Sequence, residues 1–436
     1  MNSYVKALHS TELVRRIGKV TQFYGLIVES SGPDVFLGEY CEILSANQQP
    51  VPAEVVGLKD GKVLLMPYGE LRGIRMGSEV VAKGRRIQVP VGPQLLGRIL
   101  DAFGNPLDGK STIEPDREYP LYNDACNPME RPVINEVLET GVRVVDTLLT
   151  LGLGQRLGIF AGSGVGKSTL LGMIAKNAKA DVNVIALIGE RGREVREFVE
   201  EIMDVEAMQR TVVIVATSDQ PALVRTHAAL TATAIAEYFR DQGLNVVFSM
   251  DSITRFAMAQ REIGLAIGEP PTAREYTPSV FAALPKLLER GGTHSSGGSI
   301  TALYTVLVEG DDLNDPVADS VRAILDGHIV LSRDLVHQQH FPSIDILQSK
   351  SRLQSRLLQS EELKDVEKLL KLLSAYEKSK DMVELGAYKS GANPLLDKAI
   401  KHMPNINKFL CQTKEKNYSR KESVSELNRV LRDAAV

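Results

Sequence analysis

The segment AGSGVGKST, Ala161 to Thr169, constrains this chain more than any other, because it lies between a strand-like run, RLGIF, and a helix-like run, STLLGMIAKNA. Strand, glycine loop and helix in that order is the context a Walker A loop requires. Small residues at Gly162, Gly164 and Gly166 let the backbone curl until its N–H groups point at phosphate oxygens, and the helix N-terminus adds partial positive charge. Lys167 is then the candidate for the β- and γ-phosphates, and the Ser168 hydroxyl for Mg²⁺. Gly162, Ser163, Gly164, Val165, Gly166, Lys167, Ser168 and Thr169 together form the expected phosphate cradle. Ala161 stands where the usual pattern has glycine. It keeps its N–H donor, so phosphate binding is expected to survive.

The texture around the loop agrees with it. From 133 to 358, NVIALIG, TVVIVATS, NVVFSM and GSITALYTVLV read as strands, and PALVRTHAALTATAIAEYFRDQG as a long helix. Strands alternating with helices predict a parallel sheet covered on both faces, and near-continuous apolar runs suit strands buried on both sides. Residues 1–88 read as short β segments separated by turns, with Lys59-Asp60-Gly61-Lys62 as a hairpin, which predicts a small barrel. A Gly/Pro-rich connector covers 89–132. Over 359–436 the pattern turns helical, with Leu363, Val366, Leu370 and Leu373 on one face. The expected architecture is multidomain: an N-terminal β-barrel, a central α/β RecA-like P-loop domain with a mostly parallel sheet, and a C-terminal α-helical domain.

Composition removes several function classes. The 436 residues are 43% hydrophobic and 24% charged, as in soluble proteins with sizeable cores. No apolar run approaches bilayer length, and Lys6, His9, Glu12, Arg15 and Arg16 interrupt the N-terminus where a signal peptide would be apolar. A cytoplasmic protein is expected. Cys41, Cys126 and Cys411 are widely spaced and form no CxxC, which argues against disulfides and zinc. The net charge of −4 argues against a dedicated nucleic-acid binder. The tail from Lys389 carries ten Lys/Arg against five Asp/Glu and reads as a solvated helical face.

Four further residues carry candidate chemistry. Asp251 ends the strand NVVFSMD, where a Walker B carboxylate would hold the Mg²⁺ shell. Glu190 ends the run NVIALIG, where it could polarise the attacking water or equally pair with Arg191, Arg193 or Arg196. Arg255 lies four residues beyond Asp251 and could approach the γ-phosphate. Arg352, in SKSR at the end of the ATPase core, could serve its own fold or enter a neighbouring subunit's site as an arginine finger.

Taken together, FAGSGVGKS, LIGERGREVREF, VIVATSDQPALVR, TVLVEGDDLNDPVADSVRAILDGHIVLSR and FPSIDILQSKSR resemble the catalytic-subunit superfamily of rotary ATP synthases. The nearer likeness is to its type III protein export branch, and the tail GAYKSGANPLLDKAI leans towards the flagellar members. The resemblance implies that Lys167 and Ser168 bind phosphate and Mg²⁺, that Glu190 is the catalytic glutamate and Asp251 the Walker B acid. It further implies that Arg255 contacts the γ-phosphate, that Arg352 is a finger across the subunit interface, and that Phe341 packs on adenine. It implies ATP and Mg²⁺ as cofactors and a homohexameric ring. It also implies a membrane-peripheral cytoplasmic site and partners that include an export regulator, a stalk protein, export substrates, their chaperones and the export gate. The loop GEPPTAREYTPSVF departs from the family by carrying Glu275 and Thr277 where Gly and Pro are usual, which bears on coupling more than on ATP binding. An amphipathic N-terminus for membrane docking would use Tyr4, Val5, Leu8, Leu13, Val14 and Ile17 with Arg15 and Arg16.

The function expected is Mg·ATP hydrolysis energising export of flagellar subunits, with a virulence-type injectisome ATPase as the alternative. A non-catalytic ring subunit would be expected to lack Glu190. An RNA-translocating ring motor would need stacking aromatics and basic residues near the N-terminus. Phe23, Tyr24, Phe36, Tyr40 and Tyr68 are available there, but aromatics in a small barrel usually serve its core.

Overall fold

The computed structural model describes residues 15–433 except 48, 309 and 311–314. The docking segment suggested by Tyr4, Val5, Leu8, Leu13 and Val14 lies outside the described residues. Among the described residues no helix is long and apolar enough to cross a membrane.

Six strands, β1 (Arg16–Tyr24), β2 (Ile27–Ser31), β3 (Tyr40–Leu44), β4 (Pro50–Lys59), β5 (Lys62–Pro67) and β6 (Glu79–Ala82), close into a barrel in the order β1-β2-β5-β4-β3-β6. Lys59 pairs with Lys62 across the β4–β5 turn, and both central residues are left-handed, Asp60 at φ 51° and Gly61 at φ 72°. That is what a two-residue primed turn demands. Val20, Val28, Ile43, Val55, Leu65 and Val80 fill the interior. Tyr68 is 5% exposed and packs at the barrel's inner boundary with the next domain, so it offers no stacking surface.

The connector does more than join. Strands β7 (Gln88–Val91) and β9 (Arg117–Pro120) form a ribbon, and β8 (Arg98–Leu100) pairs in parallel with a strand of the central sheet. That sheet also draws on β12 (Arg156–Ala161), β13 (Val182–Glu190), β14 (Thr211–Thr217), β15 (Asn245–Asp251), β17 (Ser299–Leu307), β18 (Gly327–Leu331) and β19 (Ile344–Ser351). Its order is β19-β18-β12-β17-β15-β13-β14-β8, with short β16 (Gly292–Thr293) on β17. A two-residue pair, β10 (Val137–Leu138) and β11 (Leu151–Gly152), stands apart. All strands along the main order run parallel except β19, which is antiparallel to β18. Every residue of β13 but Glu190 is buried, as a strand covered on both faces requires.

The helix Lys167–Asn177 buries Leu170, Leu171, Met173 and Ile174 against one face of the sheet. The C-terminal helices Ser360–Glu384, Pro394–Leu410 and Arg420–Asp433 pack into that same core through Val366, Leu369, Ile406, Phe409 and Leu427. On the first of them the buried stripe is Val366, Leu369 and Leu372, while Leu363, Leu370 and Leu373 are only partly covered. The face is rotated from the expected one because the helices Pro394–Leu410 and Arg420–Asp433 pack on it together with the sheet edge at β19. The phosphate-loop helix and the C-terminal domain therefore share one hydrophobic core.

Candidate active site

The glycine loop leaves β12 and enters the helix Lys167–Asn177 with Gly164 at φ 76° and Gly166 at φ 92°. Nothing lies within 4 Å of where a Cβ would stand at either, so it is the left-handed backbone that calls for glycine there. Neighbouring strands carry their last residues to the same edge. Lys167 Nζ lies 2.5 Å from Asp251 Oδ1, at the end of β15, and 3.6 Å from Glu190 Oε1, at the end of β13. The Thr305 hydroxyl donates to Asp251 Oδ1 at 2.8 Å and fixes that carboxylate from β17.

Two carboxylates around one ammonium set the electrostatics. Burial lowers the Lys167 pKa, but Asp251 and Glu190 more than offset it and the net displacement is upward. The Glu190 carboxyl is pushed up to about 7 by burial and by the Asp251 charge, against the pull of Lys167. Glu190 Oε1 is buried and makes no hydrogen bond. The nearby arginines do not neutralise it, since Arg191, Arg193 and Arg196 pair with Glu194, Glu197 and Glu200. An oxygen at a strand end that makes no hydrogen bond, on a carboxyl whose proton affinity lies near neutrality, is equipped to take a proton from a water molecule.

Gly189 shapes this corner. Its φ of 68° accompanies a register shift in β13, and a Cβ there would come within 2.9 Å of Arg255 Cβ. The Arg255 stem thus lies directly beneath the turn that presents Glu190. Ser168 stands half-buried in the first turn of the loop helix. A hydroxyl and a carboxylate are hard oxygen donors, and few protein ligands suffice for an ion that keeps several waters and phosphate oxygens, so Ser168 and Asp251 fit Mg²⁺.

Beside the loop opens a cavity of about 690 Å³, lined by Val165, Gly166, Thr169, Phe341 and Pro342 on one side. Phe341 is 41% exposed, a ring presented to the cavity and not a core residue. Arg143, Cys411, Gln412, Thr413 and Tyr418 form the other side. These residues were not anticipated from the sequence. The available signal was QTKEKNY, a polar run between two apolar helical patterns, which reads equally well as a plain linker.

Arg352 is not brought to this edge. Its backbone N–H donates to the Asp326 carbonyl at 3.0 Å, and the Asp326 N–H donates to Arg156, the first residue of β12. The glycine loop follows the last residue of that strand. At about 3.3 Å per residue, the strand puts roughly 17 Å between the two ends, beyond the reach of an arginine side chain. The guanidinium meets the Arg322 carbonyl at 3.1 Å instead.

The family model for the ATP synthase alpha/beta family, nucleotide-binding domain, matches residues 141–351, and that for the same family's beta-barrel domain matches 20–84. The T3SS EscN ATPase C-terminal domain matches 358–429. The chain is 52% identical to the flagellum-specific ATP synthase of Bacillus subtilis (strain 168), over 98% of this chain and 97% of that protein. The chain belongs to the type III export ATPases of the ATP synthase alpha/beta family. The virulence branch of this ATPase family lies close as well. A type 3 secretion system ATPase of Xanthomonas euvesicatoria is 48% identical over 96% of this chain and 95% of that protein. Among solved structures, the assembled ATPase EscN of enteropathogenic E. coli superposes with a TM-score of 0.91 at 44% identity, covering 95% of this chain and 100% of that one. EscN has also been solved in complex with its central stalk EscO. The barrel, the mostly parallel sheet and the helical C-terminus are the architecture of that structure, and nucleotide binding belongs to the matched central domain.

Proposed function

We propose that this ATPase hydrolyses Mg·ATP to drive export of flagellar subunits, releasing them from chaperones, unfolding them and delivering them to the export gate. Glu190 supports the reading most directly, as a partly buried carboxylate that ion-pairs with Lys167 at 3.6 Å beside Asp251 while its Oε1 makes no hydrogen bond. In this reading the loop Gly162–Thr169 holds the phosphates and Phe341 holds the base. Lys167 leaves the carboxylates for the β- and γ-phosphates when nucleotide enters. Ser168 and Asp251 hold Mg²⁺, which when bound supplies charge neutralisation on the phosphate oxygens. Glu190 orients and deprotonates the attacking water, and Arg255 fixes the γ-phosphate edge.

Arg352, which cannot reach its own loop, completes a neighbour's site, so the working unit is a homohexameric ring. EscN was solved as an assembly and with a stalk, which supports self-association and a stalk partner here. The export regulator, chaperones and a peripheral position at the cytoplasmic membrane face belong to the same proposal, as does the absence of a nucleic-acid partner. The flagellar branch is favoured over the injectisome by the identity to flagellum-specific relatives. Phosphate release from Mg·ATP, followed against protein concentration, tests the reading. Specific activity is expected to climb with concentration and to vanish in Glu190→Gln while nucleotide binding persists. Wild-type turnover in Glu190→Gln would remove the assigned base.

A further inference from the structure

The nucleotide cavity has two walls from distant parts of the chain, and Gln412 is where they are fastened together. The residue is 6% exposed. Its backbone N–H donates to the Phe341 carbonyl at 2.8 Å. Its side-chain Oε1 accepts from the Arg143 N–H at 2.8 Å, and Nε2 donates to the carbonyls of Gly141 and Lys416 at 2.8 and 2.7 Å. Arg143 in turn stacks its guanidinium 4.5 Å from the Tyr418 ring and 5.3 Å from that of Phe409, and donates to the Cys411 carbonyl at 2.5 Å. On the opposite side the Ser343 hydroxyl donates to the Val165 carbonyl at 2.6 Å, tying the Phe341 segment to the phosphate loop. Hydrogen bonds at both ends of the Phe341–Ser343 segment therefore connect the phosphate loop, past the base wall, to the segment between the last two helices.

We propose that Gln412 is a positioning residue for the nucleotide base, its side chain holding Arg143, Gly141 and Lys416 in the place from which its backbone N–H braces Phe341, and that it makes base binding depend on docking of the C-terminal helices. The proposal rests on reading this cavity as the ATP site. A wall already held by four hydrogen bonds loses little freedom when the base enters, whereas a loose one must be ordered by the ligand at the cost of affinity. The loop and Lys167 grip the phosphates, and the four hydrogen bonds of Gln412 go to Phe341, Arg143, Gly141 and Lys416, not to that loop. Linkage then works both ways: a partner that shifts the C-terminal helices changes ATP affinity by the factor with which ATP changes that partner's affinity.

The test uses the full chain with Gln412→Met, which keeps the length of the side chain and removes both polar ends. KM and kcat for Mg·ATP are measured beside the inhibition constant of tripolyphosphate, a phosphate chain without a base. KM is expected to rise about tenfold, as for the loss of buried hydrogen bonds, with kcat and the tripolyphosphate constant unchanged. Phe341→Leu alone should raise KM, and adding it to Gln412→Met should raise KM no further than the larger single effect. An unchanged KM overturns the proposal. So does a tripolyphosphate constant that weakens in step with KM, because the whole site has then loosened, and so does full additivity with Phe341→Leu. Should Gln412→Met not fold, Gln412→Glu reads the same quantity, since it keeps the acceptor for Arg143 and sets an oxygen against two carbonyls. Wild-type turnover in the same assay checks the ATPase reading separately, and equilibrium binding of ATP replaces KM if turnover is absent.

Discussion

Glu190 titrates near neutrality because burial and the Asp251 charge both resist its ionisation. A water-activating base must be ionised, so the activity of the free enzyme should follow loss of that proton. The expected kcat/KM rises through an apparent pKa of about 7 and falls roughly tenfold per pH unit on the acid side. A profile flat from pH 6 to 8 would show that Glu190 is not the group that limits hydrolysis. A second residue-scale feature is the loop at Arg274 and Glu275, left-handed at φ 50° and 64°. Glu275, where the family resemblance leads one to expect Gly, thus falls on a conformation that costs a side chain about 1–2 kcal/mol. Glu275→Gly recovers that cost less the entropy of a freer unfolded chain. Its urea midpoint is expected to correspond to a gain of about 0.5–1 kcal/mol.

Among the elements, those with strong periodicity were legible before any coordinates. The strands β12 to β15 and β17, the long helix Ala222–Asp241 and the Lys59–Lys62 hairpin follow from apolar runs and turn chemistry alone. Lys167 was legible from the glycine loop that opens its helix, and Asp251 from its place at a strand end where an open sheet gathers its ligands, whereas the same kind of position left Glu190 open between water activation and pairing with Arg191, Arg193 or Arg196. The three-residue strand β8 was not, because so short a segment has no period of its own and is made a strand by its neighbour. Nor was the cluster joining barrel to ATPase domain. His227, from the helix Ala222–Asp241, lies 2.8 Å from Glu54 Oε2 on β4, and the Tyr68 and Tyr122 hydroxyls donate to the same carboxylate. Burial pushes the Glu54 carboxyl up, yet His227 and the two tyrosines more than offset it and hold it below the usual carboxylate range. No local pattern announces a pairing across 173 positions. His227→Ala leaves that carboxylate buried with its partner gone, and is expected to lower unfolding free energy by about 3 kcal/mol in urea titration. A loss below about 1 kcal/mol would mean that the pair contributes little beyond contact.

At the scale of the whole molecule, the sheet separates what one copy needs from what it offers. Its carboxyl edge holds Lys167, Glu190 and Asp251, while Arg352 stands at the other end of β12. Arg352→Ala should bind ATP and hydrolyse slowly, and mixing it with Glu190→Gln protein should restore part of the activity, because some interfaces then combine an intact glutamate with an intact arginine. No recovery at any mixing ratio would refute completion between copies. The placement of β8 reaches beyond catalysis to how this protein can be dissected. A fragment begun after the connector, at Val133, would look complete by its motifs yet would lack the strand that covers β14. Its unpaired backbone groups would invite pairing with other copies. Such a fragment is expected to aggregate where one begun ahead of Arg98 stays dispersed, so the smallest portion that can stand alone is set by a sheet edge and not by the ATPase motifs.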